Sequence, residues 1–224
     1  MRLIIGLGNP GKAYGHNRHN LGFMVVEELA RRLGLVFRAG ESAFAVAEDD
    51  RLTDPLVLLK PMTYMNRSGE ATLAWSRQAG VAVTGSPPVM EIDSAATVDM
   101  TDRPQPAPPE AVRPLVVCDD LNLPLGSVRM RPNGSSGGQN GLASLIEHLG
   151  GEEFPRLRLG IAPLEEGVDP EAWPDFVTAD FEVSERTAAK DLVNHAASAL
   201  EFWLNHGLEP TISRFNRRIR LEPE

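Results

Sequence analysis

The run Leu3-Ile4-Ile5-Gly6-Leu7-Gly8-Asn9-Pro10-Gly11 constrains the fold more than any other part of the chain. A short, continuous apolar segment closed by glycines and a proline reads as a strand buried on both faces. A polar loop follows, Lys12 to Tyr14 and then Asn17-Arg18-His19-Asn20. Only from Leu21 does a helical apolar pattern begin. A buried strand thus delivers its carboxyl end into a loop rich in amides, with a histidine at its far end. In open α/β sheets, ligands bind outside those carboxyl ends.

The rest of the chain repeats the alternation. Leu21, Val25, Leu29 and Leu33 recur at four-residue spacing and predict a helix over 21–33, with Gly34 as its C-cap. Phe44 and Val46, with Phe37, suggest an alternating strand that ends near residues 48–50. Leu56 to Leu59 is another buried strand, stopped by Lys60-Pro61. Residues 65–69 lead into a helix to about Gln78, with Leu73 and Trp75 as packing residues. Pro114 to Cys118 is a strand that ends at Asp119-Asp120, and residues 122–126 form a turn. A short strand over 128–131, a glycine- and serine-rich loop over 132–138, a helix from Asn140 to His148 and a strand over 156–161 follow. Residues 163–180 are acidic and proline-containing and read as a mobile surface segment. Ser184 is the expected N-cap of a long helix to Asn205, with Leu192, Ala196, Ala199 and Trp203 on one face and Gly207 as its end. An arginine-rich tail closes the chain.

Strands alternating with helices predict an α/β fold: a single-domain three-layer sandwich, with a mainly parallel mixed sheet and helices on both faces. The length, 224 residues, suits one such domain over 1–224. Residues 84–111 stand apart. They hold six of the eighteen prolines, five acids (Glu91, Asp93, Asp99, Asp102, Glu110) and one base, Arg103, and so supply −4 of the net charge of −9. Little there can be buried, and the stretch reads as a passive acidic, Pro-rich insertion.

Composition narrows the function. No run approaches the roughly 18 apolar residues of a membrane span. Met1 leads almost directly into strand-like sequence, with no signal pattern before it. A single cysteine, Cys118, excludes an internal disulfide and fits a reducing compartment. The expectation is a cytoplasmic protein. The net negative charge weighs mildly against a nucleic-acid partner. Arginines nevertheless cluster at 129 and 131, at 156 and 158, and at 214, 217, 218 and 220, so a local basic face is open to the fold.

Gly6-x-Gly8-x-x-Gly11 formally matches a dinucleotide fingerprint. That fingerprint needs a helix starting at its last glycine, to meet a pyrophosphate. Here Pro10 lies inside the motif and the helix pattern begins ten residues late, so the match is weak, and absence of nicotinamide or flavin binding would dispose of it. His19, just before the helix, is a candidate general base. Asp119, directly after a buried strand, can hold an imidazole in one tautomer and stabilise its charged form. Asn9, Asn66 and Asn140 sit in loops after strands or before helices, and together suggest a site for a carbonyl and its oxyanion. Gly134-Ser135-Ser136-Gly137-Gly138 matches Gly-x-Ser-x-Gly, but Pro132 and Asn133 place it in a loop rather than in a strand-to-helix elbow. His16 and His19 have no partners at metal-ligand spacing.

Taken as blocks, the sequence resembles the bacterial peptidyl-tRNA hydrolase family. The matching stretches are Gly6-Leu7-Gly8-Asn9-Pro10-Gly11-x-x-Tyr14, Arg18-His19-Asn20-x-Gly22 and Lys60-Pro61-x-Thr63-Tyr64-Met65-Asn66-x-Ser68-Gly69, followed by Asp119-Asp120-Leu121. Gly137-Gly138-x-Asn140-Gly141-Leu142 and Arg156-Leu157-Arg158-x-Gly160-Ile161 complete them. The resemblance implies hydrolysis of the ester between a peptide and the 3′-terminal ribose of tRNA, by a monomer without metal or cofactor. It implies that His19 activates water and that Asp119 orients His19. Asn9, Asn66 and Asn140 would then position peptide, water and oxyanion, and Tyr14, Tyr64 and Met65 would line the cleft at the terminal nucleotide. Arg129, Arg131 and Arg158 are candidates for phosphate contacts by position. The sequence departs from the family's common pattern at Gln139, where histidine is frequent, at Tyr64, where phenylalanine is, and in the insertion. A non-catalytic RNA-binding relative of the same fold is the alternative, and the retained His19, Asp119 and asparagines speak against it.

Overall fold

The computed structural model describes residues 1–51, 53–86, 111–163 and 168–216. Most of the expected insertion, residues 87–110, lies outside them, as do Arg217, Arg218 and Arg220. The first strand, β1 (Arg2–Gly6), runs through the middle of one seven-stranded sheet. Its neighbours, β4 (Leu56–Pro61) and β5 (Leu115–Pro124), are both parallel to it, and β7 (Arg156–Ala162) continues parallel beyond β5. The edges turn antiparallel: β2 (Arg38–Ala39) and β3 (Phe44–Asp49) beside β4, and β6 (Val128–Arg131) beside β7. The expected mixed sheet therefore has a parallel centre and antiparallel margins.

Helices cover the two faces. On one, α1 (Leu21–Leu33) and α5 (Arg186–His206) pack over Ile4, Leu58, Val117, Leu157 and Leu159. On the other, α2 (Ser68–Ala79) and α3 (Asn140–Leu149) pack over Leu3, Ile5, Leu59 and Val116, with Trp75 and Leu145 between. Strand β1 serves both layers because its side chains alternate, which is why every residue of its apolar run is hydrophobic. In α1, Val25, Val26 and Leu29 are wholly buried, each worth about 1.5–3 kcal/mol of apolar transfer. Gly34 ends this helix in the left-handed conformation, as its position predicts.

Gly6 and Gly22, on either side of the first loop, prove to be packing residues, whereas Gly11 within it turns the chain at φ 110°. A Cβ at Gly6 would lie 2.4 Å from the Gly22 carbonyl oxygen, and one at Gly22 2.4 Å from Leu7 N and Val117 O. The first turn of α1 therefore sits directly on the backbones of β1 and β5. That close approach fixes the loop between them, which holds His19.

Four sequence expectations are revised. Strand β5 does not stop at Asp120 but continues to Pro124, with a register shift against β7. The shift is possible because Gly160 lacks a side chain: a Cβ there would lie 2.1 Å from Pro124 O. Residues 163–180 are not simply a surface segment, because α4 (Trp173–Thr178) forms there and buries Val177. The acidic composition hid the apolar pair Phe176 and Val177. Ser184 is not the cap of α5. A turn over Val183–Glu185 precedes the helix, and Glu182 and Glu185 bond each other's main chain in a capping box. Finally, part of the tail is a helix, α6 (Leu208–Phe215), whose Phe215 ring lies 5.2 Å from that of His195.

The chain segments on either side of residues 87–110 are joined. Val83 and Val112 form a parallel bridge. Thr84 N–H donates to Val112 O at 3.0 Å, and Val112 N–H donates to Ala82 O at 2.8 Å.

Candidate active site at the carboxyl edge of the sheet

His19 occupies a single 3₁₀ turn, Arg18–Asn20, that abuts α1. One side chain knits the loop around it. Asn20 accepts from the Asn9 N–H (2.8 Å) and donates through Nδ2 to the Asn9 carbonyl (2.9 Å). It thereby pairs with a buried peptide unit as a neighbouring strand would. Asn9 in turn accepts at Oδ1 from the Met65 N–H (2.8 Å). A backbone N–H can only donate, so Asn9 must turn Oδ1 to Met65 and keep Nδ2 as its remaining donor.

Arg18 ties the same turn to a different region. Nearly buried, it donates to Ala179 O (3.3 Å), Asp180 O (2.8 Å) and the Glu185 carboxylate (2.5 Å), and its guanidinium lies 4.3 Å from the Phe176 ring centre. Asn17 adds a bond from Nδ2 to Thr178 O (3.3 Å).

Between these two anchors, His19 Nδ1 lies 2.8 Å from Asp119 Oδ2, and both side chains are buried. With the carboxylate ionised, Nδ1 carries the proton and Nε2 keeps its lone pair. Asp119 Oδ1 accepts from Gln139 Nε2 at 3.1 Å. The Gln139 Oε1 accepts from the Leu142 N–H at 2.8 Å, so this residue is also the N-cap of α3.

A cavity of about 220 Å³ opens here, lined by His19, Asp119, Ser136, Asn140 and Arg158, with Trp173 contributed by α4. Ser136 arrives on an irregular loop between β6 and α3, not on an elbow. Cys118 is wholly buried, and burial together with the adjacent Asp119 pushes its thiol well above the ordinary range, so it is no nucleophile. Among the described residues, no group of three or more His, Cys, Asp or Glu is placed to hold a metal ion.

The structure thus brings His19, Asp119, Asn140 and Arg158 to one cavity. Asn9 and Met65 are buried and do not line it, but join it by hydrogen bonds: Met65 Sδ lies 3.5 Å from the Gln139 Nε2 that reaches Asp119. Tyr14 is half-buried in the turn Lys12–Tyr14, while Tyr64 (62% exposed) and Asn66 lie open at the start of the α2 region; none of the three lines the cavity.

The arginines follow from strand register. On the antiparallel pair β6–β7, Arg129 faces Arg158 and Arg131 faces Arg156. Directly paired residues share a face, so the four guanidinium side chains rise from one side. Val128, Met130, Leu157 and Leu159 fill the core on the other. Arg156 is buried and donates to the carbonyls of Gly134, Ser135 (3.0 Å), Glu152 (2.9 Å) and Phe154 (3.3 Å), pinning the loop before α3. Arg158 pairs with Asp120. Arg131 and Arg158 line a second groove of about 360 Å³ that shares Gly137 with the first cavity.

Sequence reasoning assigned no role to Asn20, Arg18 or Gln139. The only local signal was their polarity beside His19 or before a helix: Asn20 and Arg18 act on partners distant in sequence, and Gln139, besides capping Leu142, reaches back 20 residues to Asp119.

The fold and site define an α/β protein with a buried histidine–aspartate pair at the carboxyl edge of its sheet, flanked by a basic ribbon. A family model described as peptidyl-tRNA hydrolase matches residues 3–85 and 90–223. A peptidyl-tRNA hydrolase of Chlorobium phaeobacteroides is 39% identical over 220 residues, which cover 97% of this chain and 99% of that protein. One of a Synechococcus species is 40% identical, covering 96% of this chain and 83% of its own. The crystal structure of peptidyl-tRNA hydrolase from Acinetobacter baumannii superposes with a TM-score of 0.75 at 28% identity, covering 97% of this chain and 95% of that one. The chain belongs to the peptidyl-tRNA hydrolase family.

Proposed function

We propose that the protein hydrolyses the ester that links a peptide, or an N-blocked amino acid, to the 3′-terminal ribose of tRNA, and releases free tRNA for reuse in translation. The observation that carries the mechanism is the 2.8 Å contact between His19 Nδ1 and Asp119, which leaves Nε2 as the ring's free nitrogen at the cavity. His19 Nε2 takes a proton from water as the water oxygen attacks the ester carbonyl. Asp119 stabilises the imidazolium that forms. Asn140 on the cavity, with Asn9 and Asn66 outside its lining, is assigned to positioning the peptide, the water and the developing oxyanion. The tetrahedral intermediate expels the ribose oxygen, which receives the proton back from His19. One water and one ester become one carboxylic acid and one ribose hydroxyl, with no covalent intermediate on the protein.

In this reading Tyr14, Tyr64 and Met65, none of which lines the His19 cavity, serve the terminal nucleotide from outside it, and Arg129, Arg131 and Arg158 serve the backbone phosphates. The shared face of the β6–β7 arginines supports this on an otherwise acidic chain. The chemistry proposed needs no metal or cofactor, and the protein would work as a cytoplasmic monomer. No helix among the described residues is long and apolar enough to cross a membrane.

The test is turnover of N-blocked aminoacyl-tRNA in the presence of chelator, parent beside His19→Ala. The variant is expected to lose about 10³-fold or more in kcat while keeping its fold. Turnover near the parent's level would remove His19 from the mechanism. Binding of tRNA without turnover by the parent would replace the esterase with an RNA-binding relative.

A further inference from the structure

We infer that Gln139 is a positioning residue of the His19–Asp119 pair, through a hydrogen bond that its role as a helix cap forces into place. This inference rests on the esterase reading above. An asparagine or glutamine amide can usually be turned end for end, because its oxygen and nitrogen are of similar size. Here it cannot. Leu142 N–H, 2.8 Å away, is a donor and demands the oxygen. The nitrogen is therefore directed at Asp119 Oδ1, 3.1 Å away, and brings a proton to it.

Asp119 then holds one N–H on each oxygen: His19 on Oδ2 at 2.8 Å and Gln139 on Oδ1 at 3.1 Å. Two donors at fixed directions determine the plane of the carboxylate, and that plane sets the direction in which the imidazole must lie. With the carboxylate ionised, this arrangement keeps the proton on His19 Nδ1 and the lone pair on Nε2. The helix cap thus becomes part of the alignment of the base. Because α3 is anchored on the sheet by Leu142 and Leu145, both buried, the position of the donor is as firm as the core itself.

Few other groups act on this pair. From β5 the charged neighbour is Asp120, and from β7 it is Arg158, and these two pair with each other. Cys118 lies beside them as a buried thiol, and Arg18 is committed to Glu185. The part of α4 that reaches the cavity, Trp173, Pro174 and Val177, brings no charge. Gln139 is the uncharged donor among them, so its contribution does not vary with pH.

Capping and positioning need different atoms, and this makes the inference testable. Capping needs only an acceptor, and Gln139→Glu keeps one of the same size and reach. Positioning needs the Nε2 donor, which Gln139→Glu removes and replaces with a charge beside Asp119. The expected result is an unfolding midpoint near the parent's, a kcat for N-blocked aminoacyl-tRNA at pH 8 lower by about tenfold or more, and KM within about threefold. The added negative charge favours the imidazolium, so the acid limb of the pH profile of kcat moves to higher pH by about half a unit or more. Gln139→Ala loses both functions and falls in stability as well as kcat. If Gln139→Glu keeps the parent's kcat and pH profile, Gln139 is a helix cap only and the inference is overturned. A lower kcat with an unmoved acid limb overturns it too, because space-filling against Asp119 would explain that result. Absence of turnover in the parent would instead remove the esterase reading on which both rest.

Discussion

His19 stands between two anchors built in different ways. Towards β1 and the α2 region, the loop is held by amides paired with peptides, Asn20 with Asn9 and Asn9 with Met65, all buried and short in reach. Towards α4 and α5, it is held chiefly by one long cation, Arg18, which spans two carbonyls, a carboxylate and an aromatic ring. The first anchor distributes its hold over several neutral groups. The second concentrates it in a single charge with low exposure. Removing one neutral bond leaves the others in place, whereas truncating a buried cation strands its carboxylate and opens several bonds at once.

That difference can be tested by breaking each side. Arg18→Ala is expected to have the larger effect, about 3–5 kcal/mol in urea unfolding, with α4 exposed to proteolysis. Arg18→Lys should recover little, since an ammonium cannot reproduce the planar fork. Asn20→Ala leaves a peptide N–H and C=O unpaired in the interior and is expected to lose about 1–3 kcal/mol. If the two variants proved equal, the contrast between distributed and concentrated anchoring would fail. Arg131→Ala, outside both anchors, should leave stability unchanged, raise KM for tRNA several-fold and reduce the slope of log affinity against log salt by about 1. A salt slope that stayed at the parent's value would remove Arg131 from phosphate contact.

The same contrast explains what could be read in the sequence. The apolar runs of β1, β4 and β5 and the four-residue spacing of α1 are local patterns, and they give the parallel centre and the first helix directly. The strand ends then place Asp119 and the His19 loop on one edge. The anchors carry no local pattern. Arg18 reaches residues 161 to 167 positions away, and Gln139 reaches back 20 to Asp119. Helix α4 was hidden for another reason: its six residues are too few for a period to show, and its flanks are acidic. The arginine ribbon lies between these cases. The alternation Val128-Arg129-Met130-Arg131 was visible as a strand, but its register against Arg156 and Arg158 becomes known only from the pairing.

The joined ends at Val83 and Val112 make residues 87–110 a closed detour in the covalent path. The sheet itself is held by the pairing of β5 with β1 and β7, to which that junction is peripheral. Changing the length of such a detour alters chiefly its closure entropy, about 0.6 kcal/mol per doubling. Replacement of 87–110 by a short glycine–serine linker is therefore expected to leave kcat within about twofold and Tm within a few degrees, measured by tRNA hydrolysis and thermal unfolding. A large loss in either would show that the acidic stretch takes part in the fold or the reaction. If both hold, the junction is a splice point, where a lineage or an engineer can exchange sequence without disturbing the carboxyl edge of the sheet.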